Sequence, residues 1–177
     1  MSAAEVDPRY PIGKFVPPQT ITAEDLLRAI ADIRVLPEQL RRAVEGLDSG
    51  QVETPYRDGG WSVQQLVHHI ADSHMMAFLR VRKALTEDWP VVMLYSQQDW
   101  AMLPDSAAPV AWSLDLVDGL HARWARMLGS LTDEQWKRGF KHPENGPTTI
   151  ERAALTYAWH GRHHVAHITH LREAMKW

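Results

Sequence analysis

The chain has 177 residues, 10 histidines and no cysteine, with 19 Lys and Arg against 22 Asp and Glu for a formal net charge of −3. That length predicts one domain over 1–177 with a sizeable buried core. The missing cysteine excludes disulfides, thiolate nucleophiles and thiolate metal ligands, and a mildly acidic balance without a basic run speaks against nucleic acid or an anionic membrane as partner. No apolar run approaches the roughly 18 residues of a membrane span. The opening MSAAEVDPRYPIGKF lacks the apolar core of a signal peptide, so a cytoplasmic location is expected.

Residues 1–21 hold Pro8, Pro11, Pro17 and Pro18 and are expected to run as an extended arm. Thr22 with Asp25 has the pattern of a helix N-cap pair, and Leu26, Leu27, Ile30 and Ile33 follow at helical spacing. Pro37 is expected to kink or split this helix, which resumes to about Leu47. SGQVETPYRDGG (49–60) reads as a loop. Ser62 with Gln65 opens a second helix, in which Val63, Leu66, Ile70, Ala77 and Val81 recur at three- and four-residue steps until about Thr86. Residues 88–112, with Pro90, Pro104 and Pro109, form a long connection. A third helix, capped by Ser113, is expected over 113–131 with Leu116, Leu120, Trp124 and Leu128 on one face. Residues 132–147 read mostly as a second long loop, and a last helix covers about 149–174. No strand alternation is convincing. The expected fold class is therefore all-α, a four-helix bundle with an N-terminal arm and two long loops.

Five of the 10 histidines lie in the last 18 residues, and His68 and His69 are adjacent. With cysteine absent, imidazole is the available transition-metal ligand. On the last helix Ala153, Tyr157, His160, His164, Ile168 or His167, Leu171 and Met175 trace a core-facing stripe. His160 and His164 thus share that face one turn apart, where two imidazoles can converge on one ion. The sequence HGRHH lacks the glutamate of HExxH, which weighs against metalloprotease chemistry. A third ligand must come from elsewhere: His68, His69 and His74 are the candidates on the second helix, and spacing alone favours His74. Asp72 and Ser73 are placed to orient a ligand, and His163, Asp72 and Asp99 are candidates for a base or proton shuttle.

Taken together, WSVQQLVHHIADSH, TPYRDGGW, HARW and YAWHGRHHVAHITHL, in that order and spacing, resemble the DinB superfamily. Within it they resemble the YfiT-like branch of metal-dependent hydrolases, which includes bacillithiol S-transferases. The resemblance runs from Tyr10 to the end. It implies a four-helix bundle holding one divalent metal ion on three histidines, and a homodimer. The family's His directly before Leu or Ile falls on His69, and its pair of His four residues apart falls on His160 and His164. This agrees with the spacing on the last helix and differs from it on the second. Spacing puts His163 and His170 nearer the flank of the last helix's face and His167 near its edge, and the plain reading of His68, His74, His163, His167 and His170 is as flanking, supporting or surface residues.

An all-imidazole site suits zinc or nickel. A three-His site keeps coordination positions open, so the expected function is hydrolysis of a small-molecule substrate by metal-activated water. The first alternative is transfer of a low-molecular-weight thiol, deprotonated by the metal, onto an electrophilic carbon. The second is a non-catalytic helical binding module stabilised by its metal. The two long loops are expected to cover the bundle end where the metal lies. Trp89, Tyr95 and Trp100 are expected either to line a substrate pocket there or to pin the loops. Trp112, Trp124 and Trp136 read as core or interface.

Overall fold

The computed structural model describes residues 7–177; residues 1–6 of the expected arm lie outside that range. Four long helices carry the fold: α1 (Ala23–Val44), α3 (Val63–Thr86), α5 (Val110–Leu128) and α7 (Ile150–Met175). Three short ones, α2 (Ser49–Val52), α4 (Gln97–Trp100) and α6 (Asp133–Lys137), sit in the connections, with a 3-10 turn at Pro104–Ala107. None of the helices is long and apolar enough to cross a membrane.

The helix starts follow their capping chemistry. The Thr22 hydroxyl accepts from the Asp25 N–H while the Asp25 carboxylate accepts from the Thr22 N–H, and Ser62 and Gln65 repeat the exchange at the start of α3. Helix α5 begins at Val110, three residues before the expected cap. Ser113 is not the cap because its hydroxyl is held by His68 Nδ1 at 2.7 Å. Pro37 neither kinks α1 apart nor ends it; the helix runs through it. Proline has no N–H to offer the carbonyl four residues back, so the Ile33 carbonyl is released, and His121 Nδ1 takes it at 2.5 Å.

The expectation of no strands is corrected. Within the stretch read as a loop, β1 (Gly139–His142) and β2 (Gly146–Thr149) pair as an antiparallel hairpin. Four-residue strands are too short to show alternation. The chain reverses at Gly146, whose φ of +73° favours glycine. Lys141 also pairs with the first long connection, donating to the Pro90 carbonyl at 2.9 Å and accepting from the Val92 N–H at 3.1 Å. The two expected loops are thereby joined.

Helix α1 packs on α5 and α7, and α3 packs on the same two, so α1 and α3 lie diagonally across the bundle. The buried apolar side chains form two clusters. One holds Ile33, Phe78, Val81, Trp124, Leu128, Ile150 and Ala154; the other holds Leu36, Leu40, Leu66, Ile70, Val117 and Ile168. On each long helix the break between clusters falls at the same level: between Ile33 and Leu36, Ala71 and Ala77, Val117 and Trp124, and Ala158 and Ile168. Histidines fill that level, with His74, His121 and His164 all buried. The imidazoles thus lie part-way along the bundle, not at its end as expected. Met175, assigned to the core stripe, is 50% exposed in the last turn of α7.

Gly161 sets how closely α7 approaches α1, since a Cβ there would lie 2.5 Å from Leu36 Cδ2. Leu36 is 2% exposed and has no room to swing away. Gly161→Val is expected to lower stability by about 2 kcal/mol, read from the urea midpoint. Gly119→Ala in α5, with nothing near its Cβ, is expected to raise stability by up to about 1 kcal/mol. An unchanged midpoint in Gly161→Val would contradict the close approach.

Candidate metal centre

Three imidazole nitrogens converge between α3 and α7. His160 Nε2 lies 3.3 Å from His69 Nε2 and 3.1 Å from His164 Nε2. One nitrogen from each ring lies within 4.8 Å of the others, so the trio could hold a metal ion. His69 is 5% and His164 9% exposed. Burial holds His69 at a pKa of about 4, and burial followed by neighbouring imidazoles holds His160 and His164 well below the ordinary value. Neutral rings with free lone pairs are the form a metal needs.

His74, favoured by spacing, sits at the same level but is not in this trio. Its Nε2 lies 3.1 Å from the other nitrogen of His160, Nδ1, and its Nδ1 lies 3.0 Å from His121 Nε2. These contacts fix the tautomers in sequence. The Ile33 carbonyl can only accept, so His121 Nδ1 carries a proton and its Nε2 is bare. His74 Nδ1 then donates to His121, which leaves His74 Nε2 bare. His160 Nδ1 donates to His74, and His160 Nε2 is left with its lone pair facing His69 and His164. Pro37, by releasing the Ile33 carbonyl, is the first link of this chain.

His164 is supported in the same manner: with Nε2 facing the trio, its Nδ1 donates to His167 Nδ1 at 3.4 Å. His163, His164 and His167 form a second group of buried imidazoles within 4.8 Å of one another. Among the described residues no carboxylate joins the imidazoles of either group. His163 and His167 are both buried, although spacing placed them at the flank and edge of the helix face, while His170 is exposed. His68 is occupied elsewhere, its Nε2 donating to the Ala108 carbonyl at 2.9 Å.

Removing the last ring of the chain is a clean test, because His121 touches no member of the trio. Replacing His121 with Phe is expected to weaken metal binding about tenfold, by freeing His74 and then His160 to turn. A competition titration against a chromophoric chelator measures this, and equal affinity would contradict the chain of tautomers.

The loop phrase TPYRDGGW delivers two rings to this layer: Trp61 packs on His69 with centroids 4.6 Å apart, and Tyr56 on His167 at 4.1 Å. The Trp61 indole donates to Gln98 Oε1 at 3.2 Å, tying the phrase to α4. Among the described arm residues, Tyr10 lies 6.1 Å from His163 and Phe15 lies 5.9 Å from Trp159, centroid to centroid. Two cavities open beside His160. One of about 440 Å³ is lined by Ser73, Tyr95, His142 and Tyr157, and one of about 360 Å³ by Trp61, Trp159, His163 and His164.

Of the base candidates, His163 lines the second cavity. Asp99 is exposed. Asp72 is half-buried with its pKa raised, first by burial and then by Asp105. Tyr95 lines the first cavity with Trp100 against it at 4.4 Å, whereas Trp89 covers Gly139. Trp124 and Trp136 are buried in the core, and Trp112 is 67% exposed. The sequence reading missed Arg80, His142 and Tyr157 as cavity-lining groups. Tyr157 sits one turn before His160 on the predicted stripe and was open to detection; an arginine inside an amphipathic helix and a histidine in a loop carry no such signal.

The sequence profile of the DinB superfamily matches residues 33–168. A protein of Bacillus mycoides (strain KBAB4) named "putative metal-dependent hydrolase" is 49% identical over 171 residues, covering 97% of this chain and 99% of the relative. A protein of the same name from Bacillus cereus (strain B4264) is 48% identical over the same shares. Among solved structures, YfiT from Bacillus subtilis superposes with a TM-score of 0.93 at 44% identity, covering 96% of this chain and 98% of that one. YfiT is described as "a probable metal-dependent hydrolase with an unusual four-helix bundle topology".

Proposed function

The chain belongs to the DinB superfamily, and we propose that within it the protein is a metal-dependent hydrolase acting on a small molecule. Its divalent ion would be held by His69, His160 and His164. The observation that carries this reading is the bare Nε2 of His160, aimed by the Ile33–His121–His74 chain at two further neutral imidazoles. Three nitrogen donors on buried or half-buried rings, with no carboxylate among them in the described residues, suit zinc or nickel. A bound divalent ion supplies Lewis acidity that makes water a nucleophile near neutral pH.

The chain's own groups do the rest. His74 and His167 hold the outer nitrogens of His160 and His164, so the rings cannot turn away. Trp61 covers His69 and keeps water from that side. The two cavities lined by His160 give a substrate room to reach the trio, within the volume range of small-molecule sites.

Thiol transfer is the second reading. It is favoured by the imidazole-only grouping among the described residues, since a thiol held by the metal would need no protein base. Metal analysis of protein purified without a His-tag, followed by ester and amide panels and a thiol-plus-electrophile panel, tests both. Hydrolysis lost on chelation and restored by the ion is expected. Thiol consumption without hydrolysis would replace this reading with the second. A chelation-dependent melting temperature with turnover in neither panel would leave only a metal-stabilised binding module.

A further inference from the structure

Among the described residues Arg80 is a buried cation without a counter-charge. It is 8% exposed on α3. One terminal nitrogen donates to the Met93 carbonyl at 2.9 Å and the other to the Tyr157 hydroxyl at 3.3 Å, while Nε has no partner. Among the described residues no carboxylate forms an ion pair with it. Glu144, on the hairpin turn, lines the same cavity but is exposed and makes no bond to Arg80. A role confined to tying down the Met93 carbonyl would not need a charge at this depth, because a neutral amide can make that bond.

Arg80 also stands at the right place. It lines the 440 Å³ cavity that ends on His160, and a second cavity of about 520 Å³ shares Arg80, His142 and Tyr157 with it. The neighbouring His142 feels the unneutralised charge: burial first, and Arg80 next, hold its pKa below the ordinary value.

We propose that Arg80 anchors an anionic group of the substrate, a carboxylate or a phosphate, in the cavity it shares with His160. The guanidinium offers a planar set of N–H donors that matches either oxyanion, and each terminal nitrogen keeps a second N–H beyond the one it gives to Tyr157 or Met93. The substrate class is then a small molecule with its anion on Arg80 and its reactive bond toward the histidine trio. The catalytic meaning of this anchor rests on the metal-centred reading above; the anion site itself does not.

The test follows the arginine Nε–H signals of zinc-loaded protein by NMR while malonate, and separately inorganic phosphate, is added. The Arg80 signal is identified by its absence in Arg80→Lys. A saturable shift of that signal with at least one of the two anions is expected, and the stronger of them names the group. Arg80→Gln, which keeps a donor for the Met93 carbonyl, is expected to weaken the calorimetric affinity for that anion about tenfold or more. The shift is expected to persist in chelator-stripped protein, so a failure of metal uptake leaves this readout standing. No shift with either anion would overturn the proposal. A shift seen only with zinc present would also overturn it, since the anion would then sit on the ion. If Arg80→Gln does not fold, the wild-type titrations alone decide.

Discussion

His160→Ala is expected to leave the protein without bound metal after dialysis and to lower metal-dependent turnover by about a thousandfold or more. The Nε2 of His160 lies within 3.3 and 3.1 Å of the Nε2 atoms of His69 and His164. Without it two imidazoles remain, too few for a tetrahedral site that keeps a position open. The same change strips His74 Nε2 of its partner at complete burial. That orphaned nitrogen costs about 1–3 kcal/mol, so the metal-free variant is also expected to melt below metal-free wild type. His170→Ala removes an exposed imidazole from the same helix and is expected to keep both metal and turnover. Full metal content in His160→Ala would refute the assignment of the site.

The second large effect is acid sensitivity of the metal-free protein. His69 titrates at about 4 in the folded chain against an ordinary 6.5, because burial disfavours its charged form. His74, His160 and His164 are displaced in the same direction, first by burial. For such groups the unfolded chain takes up protons first as pH falls. Their contribution is whole above about pH 6.5 and is lost progressively as pH drops toward the folded value. His69 alone accounts for about 3 kcal/mol over that window, a large part of an ordinary stability of about 5–15 kcal/mol. Urea midpoints of metal-free protein are therefore expected to fall steeply between about pH 6.5 and pH 4. Bound metal adds stability by mass action, about 4 kcal/mol at a thousandfold excess over Kd, and moves the loss to lower pH. Equal midpoints at neutral and mildly acidic pH would contradict the neutral histidine layer.

Much of this was legible in the sequence where the signal is local. Thr22 with Asp25 and Ser62 with Gln65 exchange the bonds their spacing implied, and His160 and His164 share a face because one turn separates them. What was not legible depends on neighbours in space. Spacing on α3 favoured His74, and the structure puts His74 in the same layer but on the far nitrogen of His160, while His69 faces the near one. Face geometry does not say which nitrogen of a ring two turns away is met. Pro37 read as a helix break because its effect on a backbone ladder is local, whereas the carbonyl it frees is used by His121 from another helix. The hairpin at 139–149 was hidden by strands of four residues. The mid-bundle position of the histidines became visible only once the apolar clusters on all four helices could be aligned.

The central claim is that one ion sits on the Nε2 atoms of His69, His160 and His164. A crystal of metal-loaded protein, with diffraction recorded on both sides of the metal's absorption edge, tests it most directly. One anomalous peak about 2.0–2.1 Å from each of those three nitrogens is the predicted result. A peak placed instead among His163, His164 and His167, or no peak in protein that carries the metal in solution, would contradict it.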